Sequence, residues 1–147
     1  NCIIAEANLK IVPCKSTGKP LATVKKIEIT DCKSYPCIFK RGSNYSINVE
    51  FQTHQKLTDL KLNIMGQINN KNVPFSTNDD NHCINTIKEI KNSKDPKKCV
   101  LNRKGTYNYH FSLDVAETYP SLQLFVSYMV KSNDKPVFCF LFPCKLV

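Results

Sequence analysis

With 147 residues, 41% of them apolar, the chain can build one core and is too short for two comfortable ones, so residues 1–147 are expected to form a single domain. Its formal charge of +9 rests on lysine, with Arg41 and Arg103 the only arginines. Without the guanidinium forks that grip phosphates and base edges, nucleic acid is an unfavoured partner, and the lysine coat suits a solvated surface or anionic partners.

In chain order, the first period-two signal is Ile27 and Ile29 flanking Glu28. Tyr45, Ile47, Val49 and Phe51 then alternate with Ser46, Asn48 and Glu50, and Leu60, Leu62 and Ile64 alternate with Lys61 and Asn63. Ile84, Ile87 and Ile90 recur at a spacing of three, which predicts one short helix over residues 85–92. A basic loop, Lys94-Asp95-Pro96-Lys97-Lys98, follows it. Tyr107, Tyr109, Phe111, Leu113 and Val115 share one strand face, leaving His110 on the polar one as a surface histidine rather than a base. Leu122, Leu124, Val126, Tyr128 and Val130 form the next stripe, and Val137 to Phe142 is apolar on both faces. Turn signals such as Arg41-Gly42-Ser43-Asn44 and Asn69-Asn70-Lys71-Asn72 separate the runs. Half-polar strands without a βαβ rhythm predict an all-β, antiparallel sandwich of about seven strands.

Eight cysteines spread from Cys2 to Cys144 include no CxxC pair, and His54, His82 and His110 do not join them in a metal-ligand spacing. The expectation is a disulfide framework made in an oxidising compartment, with no metal and no cofactor. No run approaches the ~20 apolar residues that cross a membrane. The opening Asn1-Cys2-Ile3-Ile4 lacks the pattern of a signal peptide, so a secreted or lysosomal chain would already have lost it. Asn44-Tyr45-Ser46 is one potential glycosylation site. No GxSxG elbow, P-loop, HExxH or dinucleotide glycine pattern is present, so a binding protein is favoured over an enzyme.

Cys32-Lys-Ser-Tyr-Pro-Cys37, followed by Lys40, Arg41 and Gly42, resembles the ML lipid-recognition family. Gly66, Val73-Pro74-Phe75, Cys83, Cys99, Gly105-Thr-Tyr107, Val115, Tyr119-Pro120 and Cys139 follow in the family's order. The resemblance implies an immunoglobulin-like sandwich with an apolar cavity for a sterol or fatty acid, acting as a monomeric carrier. An alternative role is presenting a bound lipid to a receptor or immune partner. It further implies that Phe75, Val115, Tyr119 and Pro120 contact ligand, with Ile29, Tyr128 and Phe140 as neighbours. The family's sterol carriers have Trp where Tyr128 and Phe140 stand, so an acyl chain or lipid-like semiochemical is as plausible a ligand here as a sterol. The implied disulfides are Cys14–Cys139, Cys32–Cys37 and Cys83–Cys99. Cys2 and Cys144 are extra to the family's six and are expected to pair with each other. Residues 1–13 read as an N-terminal extension and residues 84–98 as a basic insertion. Within that insertion Lys88, Lys91, Lys94, Lys97 and Lys98 offer contact with an anionic membrane or an acidic partner.

Overall fold

The computed structural model describes residues 9–15, 18–74, 87–89 and 100–147. Each of the apolar runs read as strands is a strand: β2 (Ala22–Ile29), β4 (Ser43–Thr53), β5 (Leu60–Ile68), β8 (Thr106–Val115), β9 (Gln123–Ser132) and β10 (Lys135–Leu146). Four short strands complete the set: β1 (Val12–Pro13), β3 (Cys37–Phe39), β6 (Lys71–Pro74) and β7 (Ile87–Glu89). They form two layers. One sheet runs β1-β10-β9-β5-β6 with β3 added beside β10, and the other runs β2-β4-β8-β7. All pairings are antiparallel except the short one between β3 and β10, which is parallel and sets Cys37 against Cys144.

Alternation fixes which face of each strand is buried. Along β4 the odd positions Tyr45, Ile47, Val49 and Phe51 point inward, in register with Leu113, Phe111, Tyr109 and Tyr107 of β8. Along β9 the inward set is Leu124, Val126, Tyr128 and Val130, facing them from the other sheet. The core holds no charged side chain among the described residues; its buried polar groups are Thr53, Ser127 and Ser132. Thr53 is satisfied at the end of the sandwich, where its hydroxyl donates to the Asn102 carbonyl and accepts from the Gly105 amide. Such pairing is what allows a buried hydroxyl to be tolerated.

The helix predicted over residues 85–92 is not formed where the structure describes it. Ile87–Glu89 is an edge strand that pairs with Tyr107–Tyr109 of β8. Ile87 is fully buried there, and the ladder beside β8 satisfies its backbone, which outweighs a weak three-residue spacing. Lys91, Lys94, Lys97 and Lys98 lie outside the described residues, as do Phe75, Cys2, Cys83 and Cys99. No helix among the described residues is long and apolar enough to cross a membrane.

Candidate functional site

An aromatic ladder runs through the space between the sheets. Tyr128 stacks on Phe140 with ring centroids 5.0 Å apart and on Phe138 at 6.2 Å. Tyr109, from the facing sheet, meets Tyr128 edge-on at 6.2 Å and 87°. Beyond Phe138 the series continues to Phe51 at 5.1 Å and on to Tyr107. In the other direction Phe140 leads to Phe142 and Phe39, and Phe39 packs 4.4 Å from Tyr45. Offset and edge-on ring pairs of this kind are favoured by the quadrupole of each ring. Among the described residues the interior is thus apolar from one end to the other, with no charged side chain.

The phenol hydroxyls differ in how they are met. Tyr45 accepts from the Lys40 amide at 2.6 Å, Tyr107 accepts from the Asn102 amide at 2.7 Å, and Tyr35 donates to the Lys10 carbonyl at 2.8 Å. The hydroxyl of Tyr128 is buried and has no hydrogen-bond partner among the described residues. Burial, with a smaller contribution from Tyr109, holds its pKa well above the usual 10.0, so it remains a neutral donor.

The residues implied by the resemblance fall into two groups. Tyr128 and Phe140 are in ring contact at the centre of the sandwich. Val115 and Tyr119 lie at one end: Val115 closes β8 on the inner face, and its carbonyl accepts from the Gly42 amide at 2.6 Å. Tyr119 is half-buried, and its carbonyl accepts from Arg41 Nη1 at 3.0 Å, while Pro120 is exposed. Ile29 ends β2 on the inner face, in register with Ile47. Phe75 lies outside the described residues. Phe138 and Tyr109 belong with the central group although the sequence reading did not single them out as ligand neighbours. Period-two alternation already put Tyr109 inside, whereas Phe138 sits in a run apolar on both faces, where alternation carries no information.

Two openings bear on access. A groove of about 420 Å³ lies where β1 and β10 pass β2, lined chiefly by Ile11, Pro13, Pro20, Ala22, Val24 and Phe138. It reaches the ladder directly, because Phe138 is one of the rings stacked on Tyr128. A second, of about 600 Å³, lies on the outer face of the larger sheet and mixes Met65, Met129 and Phe125 with Asn63, Gln67 and Lys15. No His, Cys, Asp or Glu cluster able to hold a metal occurs among the described residues.

Cys14 is bridged to Cys139 and Cys32 to Cys37. Among the described residues Cys144 is a free, buried thiol; Cys2, its expected partner, lies outside the described residues, as do Cys83 and Cys99. The physical setting explains how a thiol is accommodated: Cys144 is on the inner face of β10 between Leu124 and Cys37, where it packs as a small apolar group. Asn44, in the glycosylation motif, is exposed at the start of β4, and its amide nitrogen donates to Asp114 at 2.5 Å.

Two sheets packed face to face over an uncharged aromatic interior, stapled by disulfides, define a small β-sandwich suited to apolar contact. The ML domain family model matches residues 8–146, and the chain belongs to that family. Among curated relatives it is 26% identical over 143 residues to the NPC intracellular cholesterol transporter 2 of Bos taurus, covering 97% of this chain and 89% of the relative. The Danio rerio protein of the same name is 28% identical over 141 residues, covering 95% and 85%. An ecdysteroid-regulated 16 kDa protein of Manduca sexta is 23% identical over 131 residues, covering 88% and 84%. In fold the chain resembles a Niemann-Pick type C2 protein from the Japanese carpenter ant, with a TM-score of 0.77 at 19% identity, covering 94% of this chain and 99% of that one.

Proposed function

We propose that the chain is a non-enzymatic carrier that binds a hydrophobic small molecule, a sterol, fatty acid or lipid-like semiochemical, between its two sheets. The observation that carries this reading is an interior lined end to end by aromatic and aliphatic side chains with no charged group, in a chain that matches the ML domain over nearly its whole length. Relatives named as cholesterol transporters support the same reading. The rings touch one another along the interior, and a ligand is admitted by repacking them as the sheets part. Parting breaks no hydrogen bond within either sheet, because the two layers are held mainly by side-chain packing. Val115, Tyr119 and Phe75 are proposed to line one end of the ligand, and Tyr128 and Phe140 its centre. The disulfides support an oxidising compartment, either extracellular or lysosomal.

The energetics are adequate. Burying an 18-carbon acyl chain contributes up to ~13 kcal/mol at ~0.8 per methylene. Association costs of ~4–15 kcal/mol leave affinities around micromolar at the favourable end. Native mass spectrometry of the purified protein, with organic extraction, tests the reading. A co-purifying apolar molecule, and displacement of a fluorescent fatty acid by the extract, are the expected results. A clean ligand-free mass from several expression hosts, together with no uptake of the fluorescent fatty acid, would overturn it.

A further inference from the structure

The three other tyrosines whose hydroxyl bonds have just been described, Tyr35, Tyr45 and Tyr107, each meet backbone at one end of the interior. Tyr128 differs in place and in state. It sits midway along β9, the central strand of the larger sheet, ringed by Phe138, Phe140 and Tyr109. Its hydroxyl is buried without a partner among the described residues. A phenylalanine would fill the same space without carrying an unpaired hydroxyl, which destabilises a protein when buried. The hydroxyl therefore has a use that the ligand-free fold does not reveal. From these observations we infer that the Tyr128 hydroxyl donates a hydrogen bond to a neutral oxygen on the innermost part of the carried molecule, so that the chain selects oxygenated apolar molecules over plain hydrocarbons.

The chemistry narrows the class. A phenol in an uncharged interior is a donor seeking an acceptor, which an alcohol, ether, ketone, ester or protonated acid supplies. An ionised carboxylate is disfavoured at that depth, because no buried cation occurs among the described residues and one hydrogen bond does not offset desolvating a charge. A fatty acid accordingly lies with its methyl end inward, and an alcohol or ketone lies with its oxygen inward. Carriage provides the ligand, so this inference rests on the carrier reading.

The test compares wild type with Tyr128→Phe in displacement of N-phenyl-1-naphthylamine by tridecane, 1-dodecanol and 1-methoxyundecane, which have the same number of heavy atoms. The readout is the affinity ratio of each oxygenated molecule to tridecane. Solubility and transfer differences are common to both proteins and cancel in the comparison. That ratio is expected to fall about three- to tenfold in Tyr128→Phe for both the alcohol and the ether, since an acceptor is all that is required. The ligand-free variant is expected to melt at a higher temperature than wild type. Equal ratios in the two proteins overturn the inference while leaving carriage intact. A failure of all three molecules to displace the probe from wild type overturns both. Tyr128→Met, which also lacks the hydroxyl, repeats the comparison should the phenylalanine variant not fold. If neither variant folds, the hydroxyl is structural and the inference is wrong.

Discussion

Cys144 shows what burial does to a single acid. Its thiol, set between strands on the inner face of β10, is pushed from 9.0 up to about 12 by desolvation. The half-buried Tyr35 phenol is likewise raised by burial from 10.0 to about 12, and the Tyr128 phenol is raised well above 10.0. In each case the folded state holds the proton more tightly than the unfolded chain. The resulting stability is fully present below the unfolded values near 9 and 10 and is lost as pH rises through the folded ones. Urea midpoints should hold constant from pH 7 to 8.5 and fall steadily from about pH 9 to 11. Cys144→Ala should flatten the earlier part of that fall. The same burial leaves little thiolate to attack an alkylating reagent. Iodoacetamide at pH 8 should therefore label Cys144 only after denaturation, detected by peptide mass. A denatured, unreduced protein with no label at Cys144 would mean that the residue is bridged after all.

At the scale of elements, the two bridges span very different stretches of chain. Cys14–Cys139 joins the segment after β1 to β10 across 125 residues, whereas Cys32–Cys37 closes a loop of separation 5. The chain-entropy account assigns about 5 kcal/mol to the long closure and about 2 kcal/mol to the short one. Replacing Cys14 and Cys139 together by Ala should therefore cost about twice as much stability in urea titration as replacing Cys32 and Cys37 together. Equal costs would place the benefit of the long bridge in local packing instead. Legibility followed element length in the same way. β4, β5, β8 and β9 announced themselves because alternation repeated through several turns of the pleat, as in Tyr45 to Phe51 and Tyr107 to Val115, whereas β2 showed only Ile27 and Ile29 around Glu28 and β10 an unbroken apolar run. β1, β3, β6 and β7 have two to four residues each, too few for a period to show, and their existence depends on a neighbour's open edge. Ile87 misled for that reason: it is buried where β7 pairs with β8, far along the chain. Within the site, alternation was enough to put Tyr128 inward. Nothing local could show that its hydroxyl would be left alone, because hydrogen-bond partners are set by the facing sheet.

For the whole molecule, the proposed carriage is a linkage between packing and ligand. The rings are in mutual contact, and on this proposal a bound lipid replaces some ring contacts with its own. Val115 lies 1% exposed on the inner face at the end of β8, close to the turn that holds Tyr119, and a larger side chain there occupies space that a ligand entering by that end would need. Val115→Phe should lower ligand-free stability by about 1–3 kcal/mol through overpacking. Its effect on the complex is the sharper readout. Wild type with lipid at 100 times its dissociation constant should gain about 2.7 kcal/mol, seen as a higher melting temperature. Val115→Phe should gain little at the same lipid concentration while retaining its strand content by circular dichroism. Ala22→Leu is the counterpart at the opposite end, where Ala22 and Phe138 line the 420 Å³ groove between β2 and β10. It fills the groove without touching the Val115 end, so it should leave most of the ligand-induced rise in place. Loss of the rise in Ala22→Leu and its persistence in Val115→Phe would mean that the ligand lies toward Phe138, away from the Val115 and Tyr119 end.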